Sequence, residues 1–191
     1  LQFVVKDLAR RSGKKVDLEI IGQDTEIDKF LVERMMDPLL HIVRNALTHG
    51  LEPESERLEQ GKSPEGKITL KALAEGDAVI VEVGDDGRGI DTPKVLERAR
   101  EMGFEEEEVS PEPAKLLQVI SRPAFSTKRK ADMGSGRGVG MAVADKAIRD
   151  LGGTMTLTSK PGEGCCFRIR LPLTLAIVDA FIVEVGKNIF A

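Results

Sequence analysis

The chain has 191 residues, of which 41% are hydrophobic, and its net charge is -4. This predicts one globular domain with a real core rather than a disordered chain, and it argues against a general nucleic-acid binder, which is normally basic. No apolar run approaches the roughly 18 residues of a membrane span, and no signal-peptide pattern opens the chain. The two cysteines, Cys165 and Cys166, are adjacent, which excludes a disulfide framework and favours a reducing cytoplasm.

Hydrophobic periodicity predicts alternating helices and strands in the first half of the chain. In chain order these are a helix at 2–11, a strand at 16–21, a long helix within 24–48, a short helix at 54–59, and strands at 67–74 and 78–83. We expect Pro38 to kink the long helix and Gly50 to end it. Residues 75–77 are typical of a hairpin turn between the last two strands.

The second half shows a similar order of elements. Helices are predicted at 92–102, 114–120 and 139–151, and strands at 154–159 and 165–171. Thr92 is expected to cap the first of these helices, with Pro93 at its first position. Residues 122–136 carry many charges without periodicity, as in a mobile loop. The order predicts an α/β fold (an α+β two-layer sandwich), with helices on one face of a mixed, mostly antiparallel sheet.

A polar stripe runs along the long helix. His41, Asn45 and His49 recur every fourth residue, and the opposite side is apolar, with Leu39, Ile42, Val43 and Ala46. The apolar side can pack on a sheet while the polar side lines a cleft. The amide oxygen of Asn45 suits Mg2+, because it leaves the other metal positions to phosphates and waters. A solvated or capping histidine is the alternative for either ring, and the stripe favours a site role for His41.

An acidic glycine loop follows the strand at 78–83, with Asp85, Asp86, Gly87 and Gly89. Glycines allow a ligand to approach the backbone closely, but a carboxylate repels phosphate at short range. A carboxylate instead suits the amino group of a base such as adenine. Asp85 is predicted to hold that base and Asp86 to be a solvated neighbour, while a turn-forming aspartate is the alternative for Asp85.

A second glycine loop, residues 134–140, opens the helix at 139–151. Successive N–H groups at a helix start bind anions, helped by the helix dipole. Gly136, Gly138 and Gly140 are therefore predicted to surround phosphates. Alone, such a run is as consistent with a flexible loop, but its combination with the acidic loop favours a nucleotide site.

These three segments resemble the N box, G1 box and G2 box of the GHKL (Bergerat-fold) ATPases, which include histidine kinases, Hsp90, type II topoisomerases and MutL. Residues 123–127 resemble the F box that precedes the ATP lid. Over nearly its whole length the chain is most similar to the CheA family of chemotaxis histidine kinases. The shared features are His41, where ordinary sensor kinases carry Glu, and the runs 49–53, 125–128 and 170–177.

The resemblance implies ATP and Mg2+ as cofactors, bound between the helices and a mobile lid. It implies base recognition by Asp85, with Cys165 at a position where the family commonly has a Thr that assists the acid. Lys94 stands where the family places a phosphate-contacting lysine, although a solvated helix lysine is the alternative. The other implied ATP contacts are Asn45, His49, Gly87, Gly89, Ile90, Ser126, Thr127, Lys128, Gly136, Arg137, Gly138, Val139, Gly140 and Met141.

His41 and Asn45 are the predicted catalytic residues. Phosphoryl transfer relies chiefly on positioning and charge neutralisation, and a histidine of ordinary pKa is largely neutral at pH 7. His41 could therefore accept the proton of an attacking imidazole or orient that ring, with Glu52 or another acid orienting His41. One of the lid cations is a candidate for the γ-phosphate: Lys128, Arg129, Lys130 or Arg137.

The implied function is the catalytic ATP-binding domain of a CheA-type protein-histidine kinase, which phosphorylates a histidine on a separate acceptor domain in trans. Residues 1–172 are expected to form this domain. Residues 173–191 are expected to be a linker and the first strands of an SH3-like regulatory domain that binds the coupling protein CheW and, through it, chemoreceptors. We expect an excised piece of a longer cytoplasmic protein, monomeric as this fragment and dimeric at full length, with no nucleic-acid partner and no membrane insertion.

Three residues depart from the family pattern: Thr48 and Ala142, where Asp is usual, and Cys165. A thiol is a poorer donor and acceptor than a hydroxyl, so Cys165 is expected to weaken adenine recognition. These departures keep open a module that binds ATP and transfers nothing. A GHKL ATPase of the Hsp90 or MutL type is the third possibility. Such ATPases use Glu in the N box, so His41 argues against it.

Overall fold

The computed structural model describes residues 2–105, 107–123, 125, 141–173, 183–185 and 188–190. Several predicted ATP contacts and lid cations lie outside the described residues: Ser126, Thr127, Lys128, Arg129, Lys130, Gly136, Arg137, Gly138, Val139 and Gly140.

Helices and strands alternate in the described chain, with small shifts from the predicted bounds. The helices are α1 Gln2–Arg11, α2 Lys29–Asn45, α3 Glu54–Glu59, α4 Thr92–Glu101, α5 Pro113–Ile120 and α6 Met141–Asp150. The strands are β1 Val16–Ile21, β2 Gly66–Glu75, β3 Ala78–Asp85, β4 Thr154–Lys160, β5 Gly164–Pro172, β6 Val183–Val185 and β7 Asn188–Phe190.

Five of the strands form one sheet in the order β1-β2-β3-β5-β4. β1 runs parallel to β2, with Val16 opposite Gly66, and the other pairs are antiparallel. The predicted mixed, mostly antiparallel sheet is therefore confirmed. The register places Asp85, the last residue of β3, opposite Cys165 in β5.

The core lies between this sheet and the helices. Along β5, Phe167 and Ile169 are buried while Arg168 and Arg170 are exposed, which is the alternation of a half-buried strand. All helices except α3 contribute buried apolar side chains to the same cluster. Because the sheet and the helices each bury apolar side chains on one face only, they pack against each other as two layers.

The long helix continues through the buried Pro38 and passes at residue 46 into a π-helical turn, Ala46–Gly50. The wider turn is closed by Leu51, whose N–H donates to the carbonyl of Ala46 at 2.8 Å. Lys14 Nζ donates to the carbonyls of Leu47 and Leu51, each at 2.6 Å. These bonds satisfy carbonyls that a helix end leaves without partners, so the end of the N box is fixed in place.

Beyond the main sheet, β6 and β7 pair antiparallel, with Val183 opposite Phe190. They lie within residues 173–191, where the sequence predicts a linker and the first strands of a second domain, and the assignment of these residues to a second domain stays a prediction. None of the helices in the described ranges is long and apolar enough to cross a bilayer.

Candidate functional site

The carboxylate of Asp85 lies at the end of β3 and is half-buried. Its Oδ1 accepts the N–H of Gly87 at 2.9 Å, and its Oδ2 accepts the thiol of Cys165 at 3.1 Å. Burial raises the pKa of Asp85, and the hydrogen bonds from Cys165 and Gly87 oppose that rise. An ionised carboxylate has about four acceptor positions, so Asp85 retains capacity for the amino group of a base.

The G1 loop is tied to two neighbouring segments. The N–H of Arg88 donates to the carbonyl of Gly50 at 3.0 Å, which links the loop to the end of the N box. The N–H of Ile90 donates to Ser159 Oγ at 2.8 Å, and the N–H of Gly162 donates to the carbonyl of Arg88 at 2.9 Å. These bonds bring the N box, the G1 loop and the β4–β5 turn together around Asp85.

Two of the predicted loop glycines are required by the chain itself. A Cβ on Gly87 would lie 2.2 Å from the carbonyl oxygen of Gly50. Gly89 has a φ of +74°, and its Cβ would lie 2.5 Å from the carbonyl oxygen of Lys160. The sequence analysis expected these glycines to let a ligand approach the backbone closely, whereas in the structure another backbone segment lies close to each of them. The contacts of both glycines with a nucleotide stay predictions.

Three other predicted contacts lie around this loop. Ile90 packs against the core, and Met141 is buried at the first residue of α6. Lys94 is exposed, and its backbone N–H donates to Asp91 Oδ1 at 3.2 Å. The cap of α4 is therefore Asp91, so the prediction of Thr92 as the cap was wrong by one residue. The roles of these three residues in ATP binding stay predictions.

The N-box stripe contains the histidine predicted to be catalytic. His41 and Asn45 are half-buried, whereas His49 is exposed. Among the residues that the structure describes, His41 Nε2 is buried without a hydrogen-bond partner. Burial lowers the pKa of His41, and the nearby positive charge of Arg44 lowers it further. His41 is therefore neutral at pH 7, and its unsatisfied ring nitrogen is the kind of exception that calls for a functional explanation.

Two acids near the G1 loop have partners that the sequence did not predict. Glu52, a candidate for orienting His41, is 2% exposed and instead accepts hydrogen bonds from Arg57 Nη1 at 3.1 Å and Lys62 Nζ at 2.7 Å. Burial alone would raise the pKa of Glu52, but its bonds and cationic neighbours outweigh this and lower it. Asp86, predicted to be a solvated neighbour, has a side chain that is 40% exposed and that also pairs with Arg57 Nη2 at 2.7 Å. Sequence reasoning missed Arg57 and Lys62, because no periodicity distinguishes them from solvated helix and loop residues.

Residues 35–175 match the family described as histidine kinase-, DNA gyrase B-, and HSP90-like ATPases. The chain belongs to this family, and the predicted GHKL fold and the binding of ATP are thereby confirmed.

Within that family the chain is similar to chemotaxis proteins named CheA, as the sequence motifs predicted. It is 43% identical over 183 residues to CheA of Cereibacter sphaeroides, covering 96% of this chain and 27% of that protein. It is also 43% identical over 188 residues to CheA of Salmonella typhimurium, covering 98% and 28%. A third relative is the sensor histidine kinase CheAY of Helicobacter pylori, 39% identical over 190 residues, covering 98% and 24%. The chain thus spans about a quarter of the length of these relatives.

A solved structure shows the same fold. The histidine kinase domain of a blue-light-activated histidine kinase from Erythrobacter litoralis superposes with a TM-score of 0.52 over 90% of this chain and 62% of that one. The two sequences are 16% identical, so this likeness concerns the fold alone.

Cys165→Thr is expected to tighten Mg-ATP binding roughly three- to tenfold, because a hydroxyl is a stronger donor than a thiol to the carboxylate of Asp85. Burial raises the pKa of the Cys165 thiol strongly, so it stays protonated and does act as a donor in the wild type. Titration calorimetry measures the difference. Cys166→Thr is the matched control, because Cys166 is the neighbouring residue and its thiol makes no hydrogen bond to Asp85 in the described part of the chain. An unchanged affinity in Cys165→Thr would show that the thiol already serves as well as a hydroxyl.

Proposed function

We propose that this chain is the catalytic domain of a chemotaxis histidine kinase, which binds Mg-ATP and transfers its γ-phosphate to a histidine on a separate acceptor domain. The observation that carries the proposal is that the acidic G1 loop and the N box are joined by a backbone hydrogen bond, from the N–H of Arg88 to the carbonyl of Gly50. Asp85 presents a half-buried carboxylate at the G1 loop, and the N box bonded to that loop carries the neutral, unsatisfied His41.

On the base side, Asp85 accepts the amino group of adenine. Both of its oxygens are already held by one donor each, so the carboxylate is oriented before the nucleotide arrives. Such pre-organisation reduces the entropy lost on binding. The protonated thiol of Cys165 faces the same carboxylate in place of the hydroxyl that is common in the family.

On the phosphate side, Asn45 is the proposed ligand of Mg2+. Within the described ranges, no group of three His, Cys, Asp or Glu side chains could hold a metal. A single half-buried amide oxygen in the N box fits a metal whose other ligands are phosphates and waters. When bound, Mg2+ neutralises phosphate charge. Asn45 would hold the metal one helical turn after His41, on the same helix.

His41 acts on the acceptor. Because its pKa is lowered, the ring is neutral at pH 7. Nε2, which is buried and has no hydrogen-bond partner among the described residues, would accept a proton from the acceptor imidazole or hold that ring in line once the acceptor reaches it. The new N–P bond forms as the bond from the γ-phosphorus to the bridging oxygen breaks, and ADP leaves with the electron pair.

The similarity to CheA proteins supports the remaining parts of the proposal. The acceptor histidine lies on another domain of the same kinase and is used in trans, in the cytoplasm. Residues 1–172 form the kinase domain, and residues 173–191 begin a regulatory domain that binds CheW and connects the dimeric full-length protein to chemoreceptors.

Incubation of the domain with γ-labelled ATP, Mg2+ and a CheA-type acceptor domain tests the proposal. We expect acid-labile, alkali-stable label on the acceptor, as is typical of phosphohistidine, and none on an acceptor whose histidine is replaced by Gln. If both proteins are folded and ATP binds, absence of label would favour the module that binds nucleotide without transfer. Steady ATP hydrolysis without acceptor would favour a GHKL ATPase.

A further inference from the structure

We infer that Arg57 and Lys62 are positioning residues that hold the base-binding G1 loop in register with the N box. With Glu52 and Asp86 they form a cluster of four alternating charges, here called the brace. This inference rests on the proposed function, because the loop it positions is the loop proposed to bind adenine. The brace joins the segment after the N box to the two residues that follow Asp85.

Arg57 is the centre of the brace and is 1% exposed. Its Nη2 donates to Asp86 Oδ2 at 2.7 Å, and its Nη1 donates to Asp86 Oδ1 and to Glu52 Oε2, each at 3.1 Å. Its Nε donates to the carbonyl of Ser63 at 2.6 Å. The planar guanidinium thus fixes the side chain of Asp86 bidentately, a geometry that only Arg provides.

Lys62 contacts the backbone of the loop rather than its side chains. Its ammonium donates to the carbonyls of Asp86 at 2.9 Å and Gly87 at 2.8 Å, and its third bond goes to Glu52 Oε1 at 2.7 Å. All three protons of the ammonium have partners. Two consecutive peptide groups of the G1 loop are therefore held by one cation.

These peptide groups set the direction of Asp85. The N–H of Gly87 that binds Asp85 Oδ1 belongs to the peptide whose carbonyl is that of Asp86. A rotation of this peptide would break the bond to Lys62 and withdraw the N–H from Asp85 together. The next N–H, that of Arg88, is bonded to Gly50 at the end of the N box. The brace thus fixes the acid through the peptides next to it.

Stability alone does not account for such a cluster. Replacing buried ion pairs with well-packed apolar residues is often neutral or stabilising, because the charges lose their hydration on burial. In the brace, Arg57 and Glu52 are fully buried while the side chain of Asp86 is 40% exposed. The two cations together make five hydrogen bonds to Asp86 and Gly87 in addition to their bonds with Glu52. Its bonds are concentrated on the loop that carries Asp85.

Lys62→Met tests the inference. We expect the KM for ATP in phosphotransfer to rise about tenfold while kcat at saturating ATP stays within about twofold, since a misplaced base loop loses ground-state binding. Lys62→Arg, which keeps the charge and the donors, should recover most of the affinity. Lys15→Met is the matched control, because the exposed Lys15 pairs with Glu54 of the same segment at 3.1 Å and makes no hydrogen bond or ion pair with the G1 loop in the described structure.

The outcomes separate the inference from the proposed function. An unchanged KM, or a fall in kcat that follows the loss of folded protein, would overturn the inference and leave a structural role. If Lys62→Met does not fold, the double variant Glu52→Gln/Lys62→Met replaces it, because it removes the acid that the first substitution leaves unpaired. A wild-type KM for ATP in the folded double variant would also overturn the inference. If the wild type makes no phosphohistidine, the proposed function fails. The dissociation constant for Mg-ATP, measured by calorimetry on the same variants, then decides on the brace alone.

Discussion

Asp85→Asn is expected to weaken Mg-ATP binding about a hundredfold and, at the same time, to stabilise the nucleotide-free domain by roughly 1 kcal/mol at pH 7. The amide cannot offer two acceptor oxygens to the adenine amino group, so the base loses its charged partner. The unliganded protein gains because a half-buried carboxylate no longer has to remain ionised. A residue that destabilises the fold and is required for ligand binding is typical of a functional site.

The pH dependence gives an independent check of Asp85→Asn. The pKa of Asp85 is raised in the folded protein by burial. Its contribution to stability is therefore fully present below the unfolded-state pKa and is lost as pH rises through the folded-state pKa. Urea unfolding should show that the free energy of unfolding of Asp85→Asn exceeds that of the wild type at pH 7 and equals it below about pH 4. Asp77→Asn, at an exposed ion pair with Arg170, is the control. Equal ATP affinity in wild type and Asp85→Asn would contradict the assignment of the base site.

His41→Gln is expected to lower phosphotransfer by about a hundred- to a thousandfold, as loss of a general base or orienting group does, and to leave Mg-ATP affinity within about twofold. Gln retains a polar group of similar reach but cannot take up a proton at neutral pH. The rate of label transfer to the acceptor and calorimetric titration with ATP measure the two quantities. Glu33→Gln, exposed on the same helix, is the matched control.

The titration of His41 should also be visible. Because burial and Arg44 lower its pKa, wild-type transfer should fall only below the ordinary histidine range, and the Gln variant should lack that step. His41 contributes stability that is present above its unfolded-state pKa and is lost as pH falls through the lower folded-state pKa. A variant with full transfer activity would remove His41 from the mechanism and leave Asn45 and the lid as the remaining candidates.

Elements built from local pattern were predictable from the sequence. The apolar side of α2, with Ile42 and Val43, is buried, and the alternation of Phe167 and Ile169 in β5 gives the inner face of the sheet. The G1 motif after β3 predicted an acid at a strand end, and Asp85 lies there. These features depend on periods of two and 3.6 residues and on short motifs, which a single sequence displays directly.

Long-range polar contacts were not predictable in the same way. Asp86 and Arg57 are 29 residues apart, and nothing local indicates that they form a bidentate pair. The shift of the α4 cap from Thr92 to Asp91 had a different cause, since both residues are good caps and the loop geometry chooses between them. The π-helical turn at Ala46–Gly50 likewise follows from tertiary contacts, because Lys14 and Arg88 hold its end from outside the helix.

The single parallel edge of the sheet has a consequence for how the chain assembles. The β2–β3 and β4–β5 ribbons join neighbours in sequence through short turns, so each can close early with little loss of chain entropy. β1 instead meets β2 across a stretch that contains α2, the π-helical turn and α3, with Val16 opposite Gly66. Contacts of such sequence separation form slowly, and the pairing of β3 with β5, which places Asp85 opposite Cys165 80 residues away, spans a longer stretch of chain still. We infer that β1 joins β2 after the two ribbons have formed and that the pairing of β3 with β5 completes the sheet.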